Sequence, residues 1–141
     1  MITYVVTGLA GAVGSLLRYE LGLIISNWWI QSFPLATLLA NYIGAFFLGW
    51  FTTWSTHSSS IPSHIRIGIG TGLIGSFTTF STFSVETLEL VQRGLWGYGI
   101  FYVLISLWGG LWLAWSGYRL ARKQWEKKEN ERKKGLEGHS G

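Results

Sequence analysis

Cysteine and aspartate are absent from this 141-residue chain, and proline occurs only at Pro34 and Pro62. Without cysteine there is no disulfide framework and no thiolate metal site. With no aspartate, and with His57, His64 and His139 at no ligand-like spacing, a metal enzyme is not expected and no nucleophile–base–acid set assembles. Charge is the third shortage: 13% of residues are charged, against ~25% in an ordinary soluble domain. Up to Tyr118 the charged residues are Arg18, Arg66 and Arg93 against Glu20, Glu86 and Glu89, which balance; from Arg119 onward 8 Lys/Arg face 4 Glu and hold the whole net charge of +4. Six charges in 118 residues cannot cover the surface of a soluble domain. A water-soluble enzyme and a nucleic-acid binder with a basic body are both excluded.

What is present is apolar: 48% hydrophobic residues, 19 glycines, 9 tryptophans and a mean hydropathy of +0.29. A bilayer-spanning helix needs ~20 apolar residues, so the sequence predicts an all-α integral membrane protein of four spans joined by short loops. The first covers residues 4–26 and ends at Trp28 and Trp29, rings suited to the headgroup boundary. Its start lacks a basic leader and is expected to be a retained helix rather than a cleaved signal. The second begins at Pro34, which fits a first helical turn, and runs to Trp54. The serine-rich stretch 55–63 is a connection. The third covers 65–91 and the fourth 98–118. Residues 1–121 therefore form one membrane domain and 122–141 a charged tail, helical or frayed, whose last six residues resemble a cloning remnant.

Helices in lipid associate where small residues let backbones approach. Such spacing occurs at Gly8, Ala12 and Ser15, at Ala40 and Gly44, at Ala45 and Gly49, at Gly68, Gly72 and Ser76, and at Gly110 and Ala114. Trp108, Trp112 and Trp115 fall at i, i+4, i+7 and read as a face toward lipid or a partner helix. The glycine run at 68–72 lies inside a span, which excludes a phosphate loop.

The third span is unusual. GSFTTFSTFS, residues 75–84, has six hydroxyls in ten residues. Glycine and β-branched threonine disfavour helix, and hydroxyls compete for backbone groups. Two outcomes follow. Either the helix breaks, with irregular backbone kept inside protein or beside an aqueous cavity, or it continues with hydroxyls bonded back to the preceding turn. Phe80 and Phe83 share a face and serve either as core aromatics or as ring edges, which are electropositive, presented to an anion. Asn41, the one amide in an uncharged span, is either an interhelical hydrogen bond or a pore-lining donor. Ser81, Thr82, Ser106 and Tyr98 add further donors. Glu86, as an ionisable residue at membrane depth, is a functional candidate.

At these residues the sequence resembles the Fluc (CrcB) family of bacterial fluoride channels. The likeness is carried by GAVGSLLRY ending at Arg18 and Tyr19, by TLLAN ending at Asn41, by G-x-x-TTFSTFSVE from Gly75 to Glu86, and by Tyr98 with Ser106. The resemblance implies an antiparallel, dual-topology homodimer with two fluoride pathways along the subunit interface. It implies that the ring edges of Phe80 and Phe83 face the ion, and that Asn41, Ser81, Thr82 and Ser106 form a track of donors with Tyr98 in the same pathway. Glu86 becomes a carboxylate near one pore end, and Arg18 sets the vestibule potential or the local structure. The carbonyls of Gly75 and Thr78, from both subunits, are implied to hold a structural Na⁺ on the two-fold axis. Ser76 stands where many relatives have glycine, which bears on local packing.

The expectation is a passive channel in the bacterial plasma membrane that lets fluoride leave the cytoplasm and so protects against its toxicity, with lipid and a second copy as its only partners. Arg66 and the tail fall on one side and mainly Arg93 on the other, so the tail side is expected to be cytoplasmic in most copies. Two rivals belong to other classes. A proton-coupled exporter similar to the small multidrug-resistance transporters needs a mid-membrane carboxylate, and Glu20 lies near the end of its span. A non-transporting membrane scaffold needs no pore residues at all.

Overall fold

The computed structural model describes residues 1–29, 32–58 and 61–137, with side chains to residue 134. Residues 138–141, His139 among them, and the middle of the serine-rich connection lie outside the described residues. Among the described residues all regular structure is helical. Helix α1 spans Ile2–Ser26, α2 Leu35–His57 and α3 Ser63–Ile67; a wide π turn covers Gly68–Ile74; α4 is Gly75–Phe77, α5 Ser81–Gln92 and α6 Trp96–Glu137.

Three helices are long and apolar enough to cross a membrane: Ile2–Ser26, Leu35–His57 and Trp96–Lys134, with mean hydropathies of 1.3, 1.4 and 1.5 over their best windows. Only 11%, 28% and 11% of those windows is buried inside the chain. Apolar surface left open to this extent belongs against lipid or another copy, not water. The third segment, 63–92, is assembled from pieces. Four glycines at positions 68, 70, 72 and 75 weaken its helix, and the backbone there widens to a π turn, a feature often met beside functional sites.

Two parallel pairs make the bundle. In one, α1 lies along α3 and the π turn, Val6 against Gly68 and Gly14 against the Leu73 carbonyl. In the other, α2 lies along α6: the Tyr42 hydroxyl donates to the Ile105 carbonyl, and Gly49 and Gly117 rest against the backbones of Ala114 and Phe46. The pairs run opposite to each other, since α2 meets α4 and α5 in reverse order, Gly44 at Thr78 and Thr37 at Glu86. A Cβ at Gly49 would overlap the Ala114 carbonyl oxygen. Gly49→Val is therefore expected to cost about 2 kcal/mol by overpacking. A purified variant that melts in detergent at the parental temperature would show that the α2–α6 seam can part freely.

Two expectations need correction. The small residues that seat α1 are Gly11 and Gly14, not Gly8, Ala12 and Ser15, which are exposed. In α6 Ala114 meets α2 as expected, at Gly49, but its expected companion Gly110 meets nothing, and Gly109, against the Tyr42 hydroxyl, and Gly117 take its place. Both faces carry small residues, and an all-apolar surface holds no signal for which of them turns inward. The tail takes the helical of its two expected forms. Helix α6 continues through 42 residues, about 63 Å at 1.5 Å per residue, so 121/122 marks a change of charge along one rod. The core is small: Tyr102, Leu38 and Leu90 are almost fully enclosed, ringed by Phe33, Phe83, Leu95 and Ile105.

Candidate functional site: a polar break between two compartments

The break falls at residues 78–80. The Thr78 N–H makes the last helical bond, to Ile74 O at 3.1 Å, and its hydroxyl donates back to the Ile74 and Gly75 carbonyls at 3.2 Å each. Thr78 then turns to extended backbone with ψ 160°. Asn41, from α2, pairs with the next peptide on both sides: the Thr79 N–H donates to Asn41 Oδ1 at 2.8 Å, and Asn41 Nδ2 donates to the Thr79 carbonyl at 2.9 Å. One amide thus replaces both helical bonds that Thr79 loses. The Thr79 hydroxyl accepts the Thr82 N–H at 3.2 Å and donates to the Thr82 hydroxyl at 3.0 Å, satisfying a first-turn donor of α5. Of the two readings of the hydroxyl run the break is the one that occurs, although Thr78 and Ser84 within it still bond back to carbonyls of the preceding turn.

Two carbonyls are released by this arrangement. The Thr79 N–H that would reach Gly75 O in a continuous helix is held by Asn41, so the Gly75 carbonyl accepts only the Thr78 hydroxyl. No hydrogen bond reaches the Thr78 carbonyl among the described residues. Unwound carbonyls of this kind suit an alkali cation, and Gly75 lies on the open surface of the single chain.

The break separates two compartments. On one side is an open groove of about 480 Å³ lined by Asn41, Gly44, Ala45 and Leu48 of α2, by Thr78, Thr79 and Phe80, by Phe83 of α5, and by Val103, Ser106 and Leu107 of α6. Its walls are mainly apolar and hold no titratable side chain. The Ser106 hydroxyl is buried there without a hydrogen-bond partner, and Asn41 keeps one of its two N–H donors. The Phe80 ring is 79% exposed and stands 5.9 Å from the Phe83 ring, which packs on Tyr102 at 5.0 Å. On the other side is a cavity of about 310 Å³ lined by Ser15, Arg18, Tyr19 and Gly22 of α1, Ala36 and Thr37 of α2, and Thr79 and Thr82.

The structure therefore brings Asn41, Thr78, Phe80, Phe83 and Ser106 together in the groove and sets Arg18 with Thr82 across the break. Ser81 is exposed, its hydroxyl 3.3 Å from that of Thr79. Glu86 lies one turn into α5, held by the Thr37 hydroxyl at 2.7 Å and the Tyr102 hydroxyl at 2.9 Å. Tyr98 is exposed and lines neither compartment. The tyrosine at the depth of Phe83 and Glu86 is Tyr102, fully buried. Tyr102, Thr37 and Thr79 escaped the sequence reading. A signal existed for the first, since Tyr102 precedes Ser106 by four residues and shares its helical face.

Three apolar helices of bilayer length packed around a broken helical segment define a multi-pass membrane protein. Residues 5–118 match the sequence model of the family described as CrcB-like protein, Camphor Resistance (CrcB), and the chain belongs to that family. It is 52% identical over 119 residues to a protein of Bacillus cereus named fluoride-specific ion channel FluC 1, covering 84% of this chain and 83% of that one. It is 41% identical over 135 residues to FluC 2 of Geobacillus kaustophilus, covering 96% and 99%. FluC 2 of Listeria monocytogenes is 41% identical over 122 residues, covering 85% and 91%. The chain is thus a bacterial membrane protein of a channel family and not an enzyme.

Proposed function

We propose that this chain conducts fluoride passively, as one half of an antiparallel, dual-topology homodimer whose copies cross the membrane four times, the third time by a broken helix. The groove beside the break carries the reading. It offers a buried hydroxyl with no partner, an amide with one N–H to spare and two phenylalanine rings, within apolar walls and without a titratable group. The names of the relatives support fluoride as the ion.

Fluoride is small and strongly hydrated, so passage requires fixed donors in place of its water, none of them binding too deeply to let go. Asn41 and Ser106 supply conventional donors, and the rims of Phe80 and Phe83 supply electropositive C–H edges. Ser81 and Thr82 continue the donor track, and Arg18 raises the potential on the far side of the break. Glu86 accepts from the Thr37 hydroxyl, which lines the cavity beyond the break, and from the buried Tyr102 hydroxyl, on which Phe83 of the groove packs. The carbonyls of Gly75 and Thr78, joined by those of a second copy, would hold Na⁺; it supplies a fixed positive charge beside the anion path. Hydrogen fluoride enters a cell by diffusing through lipid and dissociates in the more alkaline interior, so the channel drains the trapped anion outward.

Liposomes holding only this protein are expected to release fluoride, read with a fluoride electrode, without ATP and without comparable loss of chloride. Release no faster than from protein-free vesicles would overturn the reading, and pH-driven release of a cationic dye in its place would assign the exporter class. Within that assay, Tyr102→Phe is expected to slow efflux about tenfold, the worth of one hydrogen bond to a charged group. Tyr98→Phe should leave it unchanged; the reverse pattern would return Tyr98 to the pathway.

A further inference from the structure

A second polar feature lies sixteen residues along α2 from Asn41, about 24 Å away at 1.5 Å per residue. Here the end of α2 and the charged part of α6 enclose a pocket of 160 Å³ lined by Trp54, His57, Ser58, Gln124, Trp125 and Lys128. The channel reading uses none of them. The His57 ring lies on the Trp125 ring at 5.0 Å. His57 Nδ1 sits 2.8 Å from the Thr53 carbonyl; that nitrogen donates to it, so His57 serves the pocket as a fixed aromatic wall, with Nε2 of the neutral ring an acceptor. The Trp50 indole N–H donates to Gln124 Oε1 at 3.3 Å, which turns the amide so that its NH₂ group is the free end. Among the described residues Lys128 takes part in none of the ion pairs along this helix, which join Arg122 to Glu126, Lys127 to Glu131 and Lys133 to Glu129. No carboxylate lines the pocket.

We propose that this pocket binds the phosphate headgroup of an anionic membrane lipid. The donors present, the Lys128 ammonium and the free NH₂ of Gln124, are those that take a phosphate diester. At ~30 Å³ per water, 160 Å³ holds about five water volumes, enough for a phosphate and its ester oxygens but not for acyl chains. Depth selects a lipid over a soluble anion. Apolar residues of α6 end near Tyr118, so Gln124 and Trp125 lie about 10 Å further on, at the outer edge of the headgroup region that brings the ~30 Å hydrocarbon core to ~40–45 Å in all. Trp54 and Trp125 both keep an exposed face there, as interfacial rings do. Basic pockets between membrane helices are known headgroup sites. The site is independent of the ion carried and requires only that the chain sits in a bilayer.

The test uses the full chain in detergent, titrated with phosphatidylglycerol or phosphatidylcholine, with bound lipid counted by native mass spectrometry. Phosphatidylglycerol is expected to be retained preferentially. Lys128→Gln, an exposed position, should weaken its retention about fivefold, the effect of one lysine beside anionic lipid, whereas Lys134→Gln on the same helix should not. Millimolar inorganic phosphate should leave the bound lipid in place. Equal loss in the two variants would show diffuse attraction, displacement by phosphate would show a soluble-anion site, and equal retention of phosphatidylcholine would show no headgroup selection. Each of these would overturn the proposal.

Discussion

Phe80→Ile is expected to lower fluoride efflux at least about 100-fold, equivalent to ~2.7 kcal/mol at the barrier, while the protein stays folded. The two effects separate because the Phe80 ring is 79% exposed and takes no part in the core. Surface substitutions of this kind change stability within about 0.5 kcal/mol. Isoleucine keeps the apolar bulk and removes the electropositive ring edge, so the substitution tests the ring and not the volume. Phe83→Ile should act in the same direction at a structural cost as well, because the Phe83 ring packs on Tyr102 and Phe80 at 5.0 and 5.9 Å. Its efflux therefore has to be read beside its melting temperature. If the double variant releases fluoride at the parental rate, the aromatic rims play no part in conduction.

Asn41→Asp is expected to be as severe, and to act twice. The carboxylate still accepts the Thr79 N–H but sets an oxygen against the Thr79 carbonyl where Nδ2 now donates at 2.9 Å. It also removes the groove's spare N–H and adds an acceptor, and a negative charge when ionised, where an anion must pass. Efflux should fall at least about 100-fold, and an unpaired Thr79 carbonyl should lower stability by about 1–3 kcal/mol. Parental flux would refute Asn41 as a donor. Parental melting with lost flux would show that the break does not depend on this amide and that its role lies in the groove alone.

Much of the third segment could be read from residues 75–84, because a run of glycine and threonine resists helix locally. What completes the break could not, since Asn41 is 38 positions away and composition assigns an amide no partner. The π turn at Gly68–Ile74 was hidden for a related reason: glycines announce weak helix, but only the approach of α1 decides how the turn widens. Tyr102 and Tyr98 look alike in an uncharged span. Their difference arises from the Leu38–Leu90–Tyr102 cluster and from Glu86 across the bundle, neither visible in local spacing. In the tail, by contrast, the i,i+4 pairing of Arg122 with Glu126 and Lys127 with Glu131 is legible at once, because such pairs need one helix and nothing else.

Helix α6 has no joint where its apolar part meets its charged part. A rod of that kind transmits tilt undiminished, and the His57–Trp125 and Trp50–Gln124 contacts make α2 lean with it. Asn41 rides on one of these two rods and Ser106 on the other, while Thr79 belongs to the segment between. A change in bilayer thickness, taken up as a lean of the rods, would therefore arrive at the groove as a movement of Asn41 and Ser106 together against Thr79, with no hinge along the way to absorb it.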